Sequence, residues 1–297
     1  MIPFKTVFIV NPTAGGGGAI RIWRKLEPLL RDAGQAYRVH YTRWRGDATA
    51  LAEKARSDGA ELIVGVGGDG TMLEVANGLD LDKNMLGIIP AGTGNGFYRS
   101  LKIPGNCRRA LLGMSCWEPR RVDLGVFNGI RFLNIAGFGF DALLTEYVKD
   151  EKQKLPGYSA YVVGFLKELA TFQDFKTVAT VDEHKRIEES NTFVAMVANG
   201  SYYGGLLCVA PHAEITDGEL NLLLVRKMNY LETAVVAVRA FLKTHLSHSA
   251  FNTVPGREFI ISADGDIPVQ IDGELMGSLP AKVQVLPGAL QVLAPGR

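Results

Sequence analysis

The spacing of apolar residues in the first part of the chain alternates between two periods. Short runs of β-branched and aromatic residues are typical of strands, and the segments that follow them carry apolar residues at helical spacing. The predicted strands are Thr6–Val10, Tyr37–Tyr41, Glu61–Val66 and Leu86–Ile89, and the predicted helices are Ile20–Leu30, Asp47–Ala55 and Thr71–Leu79. Alternating strands and helices predict a parallel sheet with helices on both faces.

After Asp123 the pattern changes to short strand-like runs separated by turn residues, which predicts a domain rich in antiparallel β-structure. The runs are Arg131–Ile135, Lys176–Val181, Thr192–Ala198, Glu219–Val225, Phe259–Ser262, Pro268–Ile271 and Lys282–Val285. Two amphipathic helical segments, Ser159–Phe172 and Tyr230–Thr244, interrupt them. Amphipathic helices of this kind are more often packing elements than functional ones, and we expect the same of both segments.

Length and composition favour two domains. A chain of 297 residues, 47% of them apolar, exceeds what one hydrophobic core usually absorbs. We therefore expect an N-terminal α/β domain over residues 1–125 and a C-terminal all-β domain over residues 126–287. The extreme C-terminus, residues 288–297, is expected to return to the first domain.

Charge and cysteine content exclude several classes of protein. The formal net charge is +1, from 32 basic and 31 acidic residues, which gives no general attraction to nucleic acid or to an anionic membrane. Three cysteines at unrelated spacings argue against a disulfide framework and fit a reducing cytoplasm. The N-terminal apolar run is too short for a signal peptide. The longest apolar segment, Thr233–Leu242, is interrupted by Arg239 and is too short to span a membrane, so we expect a cytoplasmic protein with peripheral membrane contact at most.

The segment ELIVGVGGDGTMLEVANGL carries the most informative chemistry. A buried strand leads into Gly65, Gly67, Gly68 and Gly70, and a helix begins near Thr71. Glycines let the backbone approach an anion closely, and the N–H groups at a helix N-terminus favour negative charge. Two further turns, NPTAGG and PAGTGNG, follow strands of the same predicted sheet, and ligands bind beyond the carboxyl ends of such strands. The three loops together predict a phosphate site; a tight turn without a ligand is the alternative for each.

Gly65, Gly67 and Gly70 also satisfy the G-x-G-x-x-G pattern of dinucleotide-binding folds, which is a weak signal by itself. Here the pattern follows the third strand instead of the first, and it places Asp69 in the turn that would face a pyrophosphate. The carboxylate would repel the phosphates unless Mg²⁺ bridged them, directly or through water. A nucleotide triphosphate with Mg²⁺ is therefore the preferred ligand.

The chain resembles the catalytic domain of the diacylglycerol kinase and sphingosine kinase superfamily, in its bacterial lipid kinase form. GGDGT is followed by E-x-x-N-G, preceded by an N-P-x-(S/A)-G loop and followed by P-x-G-T-x-N. FLNIAGFGFDA, VANGSYYGGLLCVAPHAEITDGELNLLLV and QIDGELMG stand in the family's order, so the resemblance covers essentially the whole chain. GGDGT alone also occurs in NAD kinases and resembles the phosphofructokinase loop, whereas TDGEL and IDGE indicate the lipid kinase branch.

The resemblance implies an ATP- and Mg²⁺-dependent kinase that phosphorylates a hydroxyl group of diacylglycerol or a related lipid. The implied fold is an N-terminal nucleotide-binding α/β domain, similar to NAD kinase and phosphofructokinase, and a C-terminal β-sandwich, with the active site in the cleft between them. The implied ATP contacts are Asn11, Gly15, Thr42, Gly67, Gly68, Asp69, Gly70, Thr71, Glu74 and Thr93. Asp47 is expected to cap a helix.

The resemblance also implies metal-binding residues. In TDGEL, Asp217 would supply a carboxylate and Glu214 and Glu219 backbone carbonyls to a structural divalent ion, and an oxygen-only shell suits Mg²⁺ or Ca²⁺. Asp69 and Asp123 are candidates for a network of water and Mg²⁺. Because Asp-Gly is a common hairpin dipeptide, a simple turn is the alternative for TDGEL.

The segment PVQIDGELMG places Asp272 and Glu274 two residues apart. If the chain is extended there, both carboxylates project from one face. The resemblance implies that one of them takes the proton of the acceptor hydroxyl, and the sequence leaves open which. A hairpin turn at Asp-Gly is again the alternative.

One position departs from the family. Diacylglycerol kinases usually carry G-T-x-N-D, but here GTGNGF places Gly96 where the aspartate stands, as sphingosine-type kinases place a small residue. A lipid kinase, an NAD kinase-type phosphotransferase and a catalytically weak nucleotide-binding regulator therefore remain as interpretations. An NAD kinase is expected to carry a G-N-x-G-F loop after GGDGT, and a regulator is expected to lose its acidic residues. PAGTGNGF stands in place of that loop and IDGE lies near the end of the chain, and both favour a lipid kinase over an NAD kinase. The acidic set is complete and favours catalysis over a regulator: Asp69, Asp123, Asp217, Asp272 and Glu274.

Three smaller expectations concern surfaces. Trp23, Trp44 and Trp117 are expected in the core. Residues Lys149–Lys154, followed by an apolar segment, are expected to border the entrance for a lipid. We expect transient contact with the inner membrane surface, and the sequence leaves a homodimer open.

Overall fold

The computed structural model describes residues 1–151, 163–164, 167, 172–204 and 207–296. These divide into two compact units: residues 1–124, 204 and 287–296 form unit 1, and residues 125–203 and 207–286 form unit 2. Most of the predicted helix Ser159–Phe172 and part of Lys149–Lys154 lie outside the described residues. Among the described helices, none has the length and apolar character needed to cross a membrane.

Unit 1 is built on a parallel sheet. Its strands are β1 (Thr6–Val10), β2 (Tyr37–Tyr41), β3 (Leu62–Gly67) and β4 (Met85–Pro90). Strand β1 pairs with β2 on one side and β3 on the other, and β3 pairs with β4. The last strand of the chain, Ala281–Ala294, adds a further parallel partner where Gln291 lies beside Met85. Strands β1, β3 and β4 are continuously buried, as expected for strands covered by helices on both faces.

The first three helices of unit 1 follow these strands, as the alternating pattern predicts, and two further helices after β4 were not predicted. They are α1 (Ala14–Asp32), α2 (Asp47–Ser57), α3 (Asp69–Gly78), α4 (Phe97–Ser100) and α5 (Cys107–Gly113). Inside α1, Gly15, Gly16 and Gly17 have φ of 60°, 62° and 81°, a left-handed conformation that interrupts the helix. Glycine is the residue that adopts this conformation without steric cost.

Trp23 lies at the centre of the unit 1 core. Its ring is 4.9 Å from that of Phe8, and its indole N–H donates to Tyr41 Oη at 3.1 Å. Trp117 is partly buried against the same core. The expectation for Trp44 is wrong, because 64% of its surface is exposed. Trp44 lies in the loop between β2 and α2, where no strand or helix periodicity indicates which way a side chain points.

The prediction that Asp47 caps α2 is also wrong. The residue before the helix is Gly46, and the Asp47 carboxylate accepts from the backbone N–H of Arg43 at 2.8 Å. The carboxylate of Glu74 on α3 takes the N–H groups of Gly46 and Ala48 at 2.8 and 3.1 Å. The start of α2 is therefore capped from another helix, which local spacing cannot reveal.

Unit 2 consists mainly of antiparallel strands. They are β5 (Glu118–Phe127, which begins in unit 1), β6 (Ile130–Phe132), β7 (Ile135–Gly139), β8 (Phe175–Val181), β9 (Lys185–Ala198), β10 (Tyr202–Tyr203), β11 (Leu207–Cys208), β12 (Leu220–Arg226), β13 (Phe251–Gly256), β14 (Glu258–Ala263), β15 (Pro268–Ile271), β16 (Glu274–Ser278) and β17 (Ala281–Ala294, which ends in unit 1). The helices are α6 (Phe140–Glu151), α7 (Tyr230–Phe241) and a short 3-10 helix at His245–Ser247.

Strand β9 organises unit 2. Up to Thr192 it pairs with β8, and beyond Thr192 it pairs with β7 on one side and β12 on the other. Strand β8 alternates buried and partly exposed residues, the period of a strand with one face on the core. Rings of Phe140 and Phe193 pack 4.2 Å apart in one of the apolar clusters.

The predicted strand Arg131–Ile135 is divided in the structure. Strand β6 ends at Phe132 and β7 begins at Ile135. The N–H groups of Leu133 and Asn134 between them donate to the carboxylate of Asp272 at 2.7 and 2.9 Å. A contact across 138 residues of sequence therefore ends one strand and begins the next.

Candidate active site

Three loops meet at the carboxyl ends of the parallel strands in unit 1. The N–H of Ala91, after β4, donates to Gly67 O at 2.8 Å, and the side-chain amide of Asn11, after β1, donates to Thr71 Oγ1 at 3.1 Å. A side chain on Gly92 would collide with the backbone of Gly68. The glycines of GGDGT and PAGTGNG thus allow two backbones to touch.

Asp69 connects the second and third loops. Its carboxylate accepts from the N–H groups of Gly96 and Phe97 at 3.0 and 3.3 Å, at the start of α4. Burial raises the pKa of the Asp69 carboxyl above 3.8, and these N–H donors oppose the rise. Because backbone donors already occupy the carboxylate, Asp69 is suited to hold the loops together and to meet a metal through water more than directly.

Asn95 fixes the third loop internally. It has φ of 56°, its Oδ1 accepts from Gly92 N at 3.1 Å, and its Nδ2 donates to Gly92 O at 2.6 Å. Thr93 stands exposed between them. Sequence analysis did not single out Asn95, although an asparagine among glycines is a recognisable signal for a left-handed turn residue.

The remaining predicted nucleotide residues lie around the same loops. Thr42 is buried just after β2, and its N–H donates to Val10 O at 3.0 Å. Gly15 approaches the third loop so closely that an added Cβ would lie 2.7 Å from Ala91 O. Glu74 lies on α3 with its carboxylate turned toward the start of α2.

Asp123 has a clear structural contact. It is buried on β5, and its carboxylate accepts from the N–H of Gly288 at 2.6 Å. The contact ties the end of the chain to β5 within unit 1. Asp123 thus stabilises the attachment of the segment around Gly288 to β5.

In unit 2 the IDGE segment forms a hairpin. Ile271 on β15 pairs with Glu274 on β16, and Asp272 and Gly273 between them have φ of 48° and 86°. Two central residues with positive φ define the type I′ turn for which Asp-Gly is favoured. The extended geometry considered for Asp272 and Glu274 is therefore wrong, and the hairpin alternative is correct.

The Asp272 carboxylate binds three backbone N–H groups. One oxygen accepts from Leu133 at 2.7 Å, and the other accepts from Asn134 and Ile135, each at 2.9 Å. Glu274 is partly exposed at the first position of β16.

A buried polar network connects the hairpin turn to α6. Asp141 Oδ2 accepts from Gln270 Nε2 at 2.7 Å, and Gln270 Oε1 accepts from Gly273 N at 2.7 Å. Burial raises the pKa of Asp141 to about 6, opposed by hydrogen bonds from Tyr203 and Gln270. A side chain on Gly137 would collide with Asp141 Oδ2. Sequence analysis missed this network, because its members are far apart in the chain.

The TDGEL segment forms a turn before β12. Asp217 Oδ1 accepts from Glu219 N at 3.0 Å, and Gly218 has φ of 75°. Among the described residues, no three His, Cys, Asp or Glu side chains form a group that could hold a metal ion. A divalent ion here would need backbone carbonyls beside the carboxylate, as sequence analysis expected, and that oxygen-only set is chemically suited to Mg²⁺ or Ca²⁺.

Comparison with known proteins covers both units. Residues 5–127 match the family model for the diacylglycerol kinase catalytic domain, and residues 134–294 match that for the YegS C-terminal NAD kinase beta sandwich-like domain. A diacylglycerol kinase of Bacillus subtilis is 30% identical over 291 residues, covering 97% of this chain and 95% of the relative. A diacylglycerol kinase of Staphylococcus epidermidis is 28% identical over 290 residues, covering 97% and 91%.

A solved structure shows the same architecture. The crystal structure of a diacylglycerol kinase from Bacillus anthracis aligns with a TM-score of 0.76 at 26% identity, covering 99% of this chain and 98% of that one. The predicted fold class, an α/β domain followed by a β-sandwich domain, is confirmed.

Fold, motifs and matches together define an enzyme, a transferase of the lipid kinase class. Within that class the chain belongs to the diacylglycerol kinase family, as the motifs predict.

Proposed function

We propose that this protein transfers the γ-phosphate of ATP to a hydroxyl group of diacylglycerol or a related lipid, with Mg²⁺. The observation that carries the proposal is the meeting of three glycine-rich loops at the carboxyl ends of the parallel strands in a member of this family. Backbone N–H groups in such loops, and at the N-terminus of α3, suit phosphate oxygens.

The nucleotide site is assigned to unit 1. Its residues are Asn11, Gly15, Thr42, Gly67, Gly68, Asp69, Gly70, Thr71, Glu74 and Thr93. Glycines 67, 68 and 70 bring the backbone close to the phosphates, while Asn11 orients Thr71 through their hydrogen bond. Glu74 contributes indirectly to the nucleotide site: its carboxylate accepts from Gly46 N and Ala48 N and so fixes the start of α2.

Mg²⁺, when bound with ATP, neutralises the charge on the transferred phosphoryl group. Asp69 is the residue proposed to meet it through water, and it also holds the third loop by Gly96 N and Phe97 N. Asp217, with the carbonyls of Glu214 and Glu219, is proposed to hold a second, structural divalent ion. Asp123 is given a supporting part, because it holds Gly288.

The base is assigned to Glu274, and Asp272 is a positioning residue. A general base needs an oxygen that can approach the acceptor hydroxyl, and both oxygens of Asp272 already accept from backbone N–H groups. By holding the loop from Leu133 to Ile135 against the turn, Asp272 fixes the position from which Glu274 starts β16. Glu274 then takes the proton of the acceptor hydroxyl as the phosphoryl group is transferred.

The test is transfer of labelled γ-phosphate from ATP with Mg²⁺ to a panel in mixed micelles. The panel contains diacylglycerols, monoacylglycerols, sphingoid bases, phosphatidylglycerol and, in parallel, NAD. Label in an organic-extractable product supports the proposal and names the acceptor. Label in NADP contradicts it in favour of an NAD kinase, and no label despite ATP binding contradicts it in favour of a nucleotide-binding regulator.

A further inference from the structure

Helix α7 presents its apolar residues outward. In this fully described segment every exposed residue from Tyr230 to Leu242 is apolar: Tyr230, Leu231, Ala234, Val235, Ala237, Val238, Phe241 and Leu242. Leu231, Val238 and Phe241 expose 77%, 62% and 84% of their surface. The expectation that this segment serves for packing does not hold for its apolar face, because Val236 alone among the residues of this helix is buried.

At 100° per residue, these exposed positions fall on one continuous arc of the helix. The polar residues Glu232, Thr233 and Arg239 lie outside this arc and are partly covered, and Arg239 adjoins the edge of the arc one turn after Val235. A contiguous apolar patch on a surface marks a docking site more often than chance exposure does. We name this surface the α7 face, defined by the eight exposed residues given above.

Helix α7 has capping hydrogen bonds at both ends. At its start, Asn229 and Glu232 make a reciprocal capping box, at 2.9 and 3.1 Å. At its end, the N–H groups of Lys243 and Thr244 return to Ala240 O and Arg239 O at 3.1 and 2.9 Å. Both ends therefore have hydrogen bonds of their own, so docking does not have to fold the helix.

The charged residues next to the α7 face along the chain are mainly basic. Residues 226–245 contain Arg226, Lys227, Arg239 and Lys243 against one carboxylate, Glu232. That carboxylate is paired with Arg226 at 3.5 Å. An apolar face bordered by cations is the pattern of a helix that lies in the interface of an anionic bilayer.

A second copy of the chain is the less favoured occupant. A helix of 12 residues is about 18 Å long and about 10 Å wide. Its face alone is small beside the roughly 800 Å² that each partner buries in a standard protein interface. A bilayer needs no complementary partner surface, and residues buried by a few ångströms suffice for binding.

We propose that the α7 face docks this protein on the surface of an anionic lipid bilayer. Leu231, Val238 and Phe241 enter the boundary between headgroups and acyl chains, while Arg239 and Lys243 face the headgroup phosphates. The inference rests on the proposed function in one respect: a kinase for a bilayer lipid has to approach a bilayer. The shape and charge of the α7 face carry the rest.

Vesicle binding tests the proposal. The full-length protein is sedimented with vesicles of phosphatidylglycerol and phosphatidylcholine that contain no diacylglycerol. The double variant Val238→Gln/Phe241→Gln should bind at least about tenfold more weakly than the wild type, because two apolar side chains no longer leave water. The control Leu112→Gln/Ile260→Gln replaces exposed apolar residues elsewhere and should bind like the wild type. Equal binding by the wild type and the α7 variant would overturn the proposal.

Two further measurements separate the alternatives. Sedimentation velocity should give the same oligomeric state for the wild type and the α7 variant. A dimeric wild type and a monomeric variant would assign the face to a second copy and refute membrane docking. Phosphorylation of a water-dispersed, short-chain diacylglycerol should proceed in the variant at the wild-type rate. If the wild type phosphorylates no lipid but binds vesicles through α7, only the proposed function fails. If it phosphorylates lipid while the substitutions leave vesicle binding unchanged, only the docking proposal fails.

Discussion

Asp272 and Glu274 show how two neighbouring carboxylates acquire different parts. Asp272 lies in a left-handed turn position, and both of its carboxylate oxygens accept from backbone N–H groups, whereas Glu274 begins the next strand. Composition alone leaves the two equivalent, because the donors at residues 133–135 are remote in sequence. The hairpin itself was predictable as an alternative, since Asp-Gly between strand-like runs favours a type I′ turn.

Replacing Asp272 should cost stability, because an amide cannot accept from all three N–H donors without facing one of them with its own NH2 group. We expect Asp272→Asn to lower the free energy of unfolding by about 1–3 kcal/mol. Glu274→Gln, the matched control in the same turn, should change it by less than about 1 kcal/mol. Urea unfolding followed by circular dichroism measures both, and equal stability of the two variants would refute the structural part assigned to Asp272.

Asp141 should make stability depend on pH. Burial raises the pKa of Asp141 from its ordinary value of 3.8 to about 6, so the folded protein holds a proton that the unfolded chain releases. The stabilisation is fully present below about pH 4 and is lost as the pH rises through 6. The free energy of unfolding of Asp141→Asn, relative to that of the wild type, should therefore rise by roughly 3 kcal/mol as the pH increases from 4 to 7. Unfolding curves at several pH values check this, and parallel pH profiles for the two proteins would contradict it.

At the scale of elements, the strands and helices of unit 1 follow the predicted order, with boundaries shifted by a few residues. The predicted strands Thr6–Val10 and Tyr37–Tyr41 agree residue for residue, because β-branched runs end there at clear turn signals. The start of α1 and the cap of α2 differ, since the first depends on left-handed glycines and the second on Glu74 from another helix. The predicted packing role of α7 was wrong for its apolar face, because periodicity identifies an apolar face without indicating what covers it.

Close contact between the second and third loops should be required for nucleotide binding. Gly92→Ala places a methyl group against the backbone of Gly68 and should raise the KM for ATP at least about tenfold, because a misplaced loop loses its phosphate contacts. Gly18→Ala is the matched control: nothing lies within 4 Å of an added Cβ there. Steady-state kinetics with varied ATP compare the two, and a wild-type KM in Gly92→Ala would argue against a nucleotide site at these loops.

At the scale of the whole molecule, family motifs carried more information than composition. The glycine loops and the TDGEL and IDGE segments predicted the family and the two-part architecture, and the comparisons confirm both. The end of β17 returns to unit 1 beside β4, a pairing between residues far apart in the chain. The acceptor lipid does not follow from the sequence, because side chains that bind acyl chains are the same types that build a core.

The most direct test of the account is the rate of phosphate transfer from ATP to diacylglycerol by the wild type and by Glu274→Gln, measured with saturating Mg²⁺ in mixed micelles. The account predicts organic-extractable label with the wild type and a loss of about 100-fold or more in kcat for Glu274→Gln, with ATP binding retained. No transfer to any lipid by the wild type, or a wild-type kcat in Glu274→Gln, would contradict it.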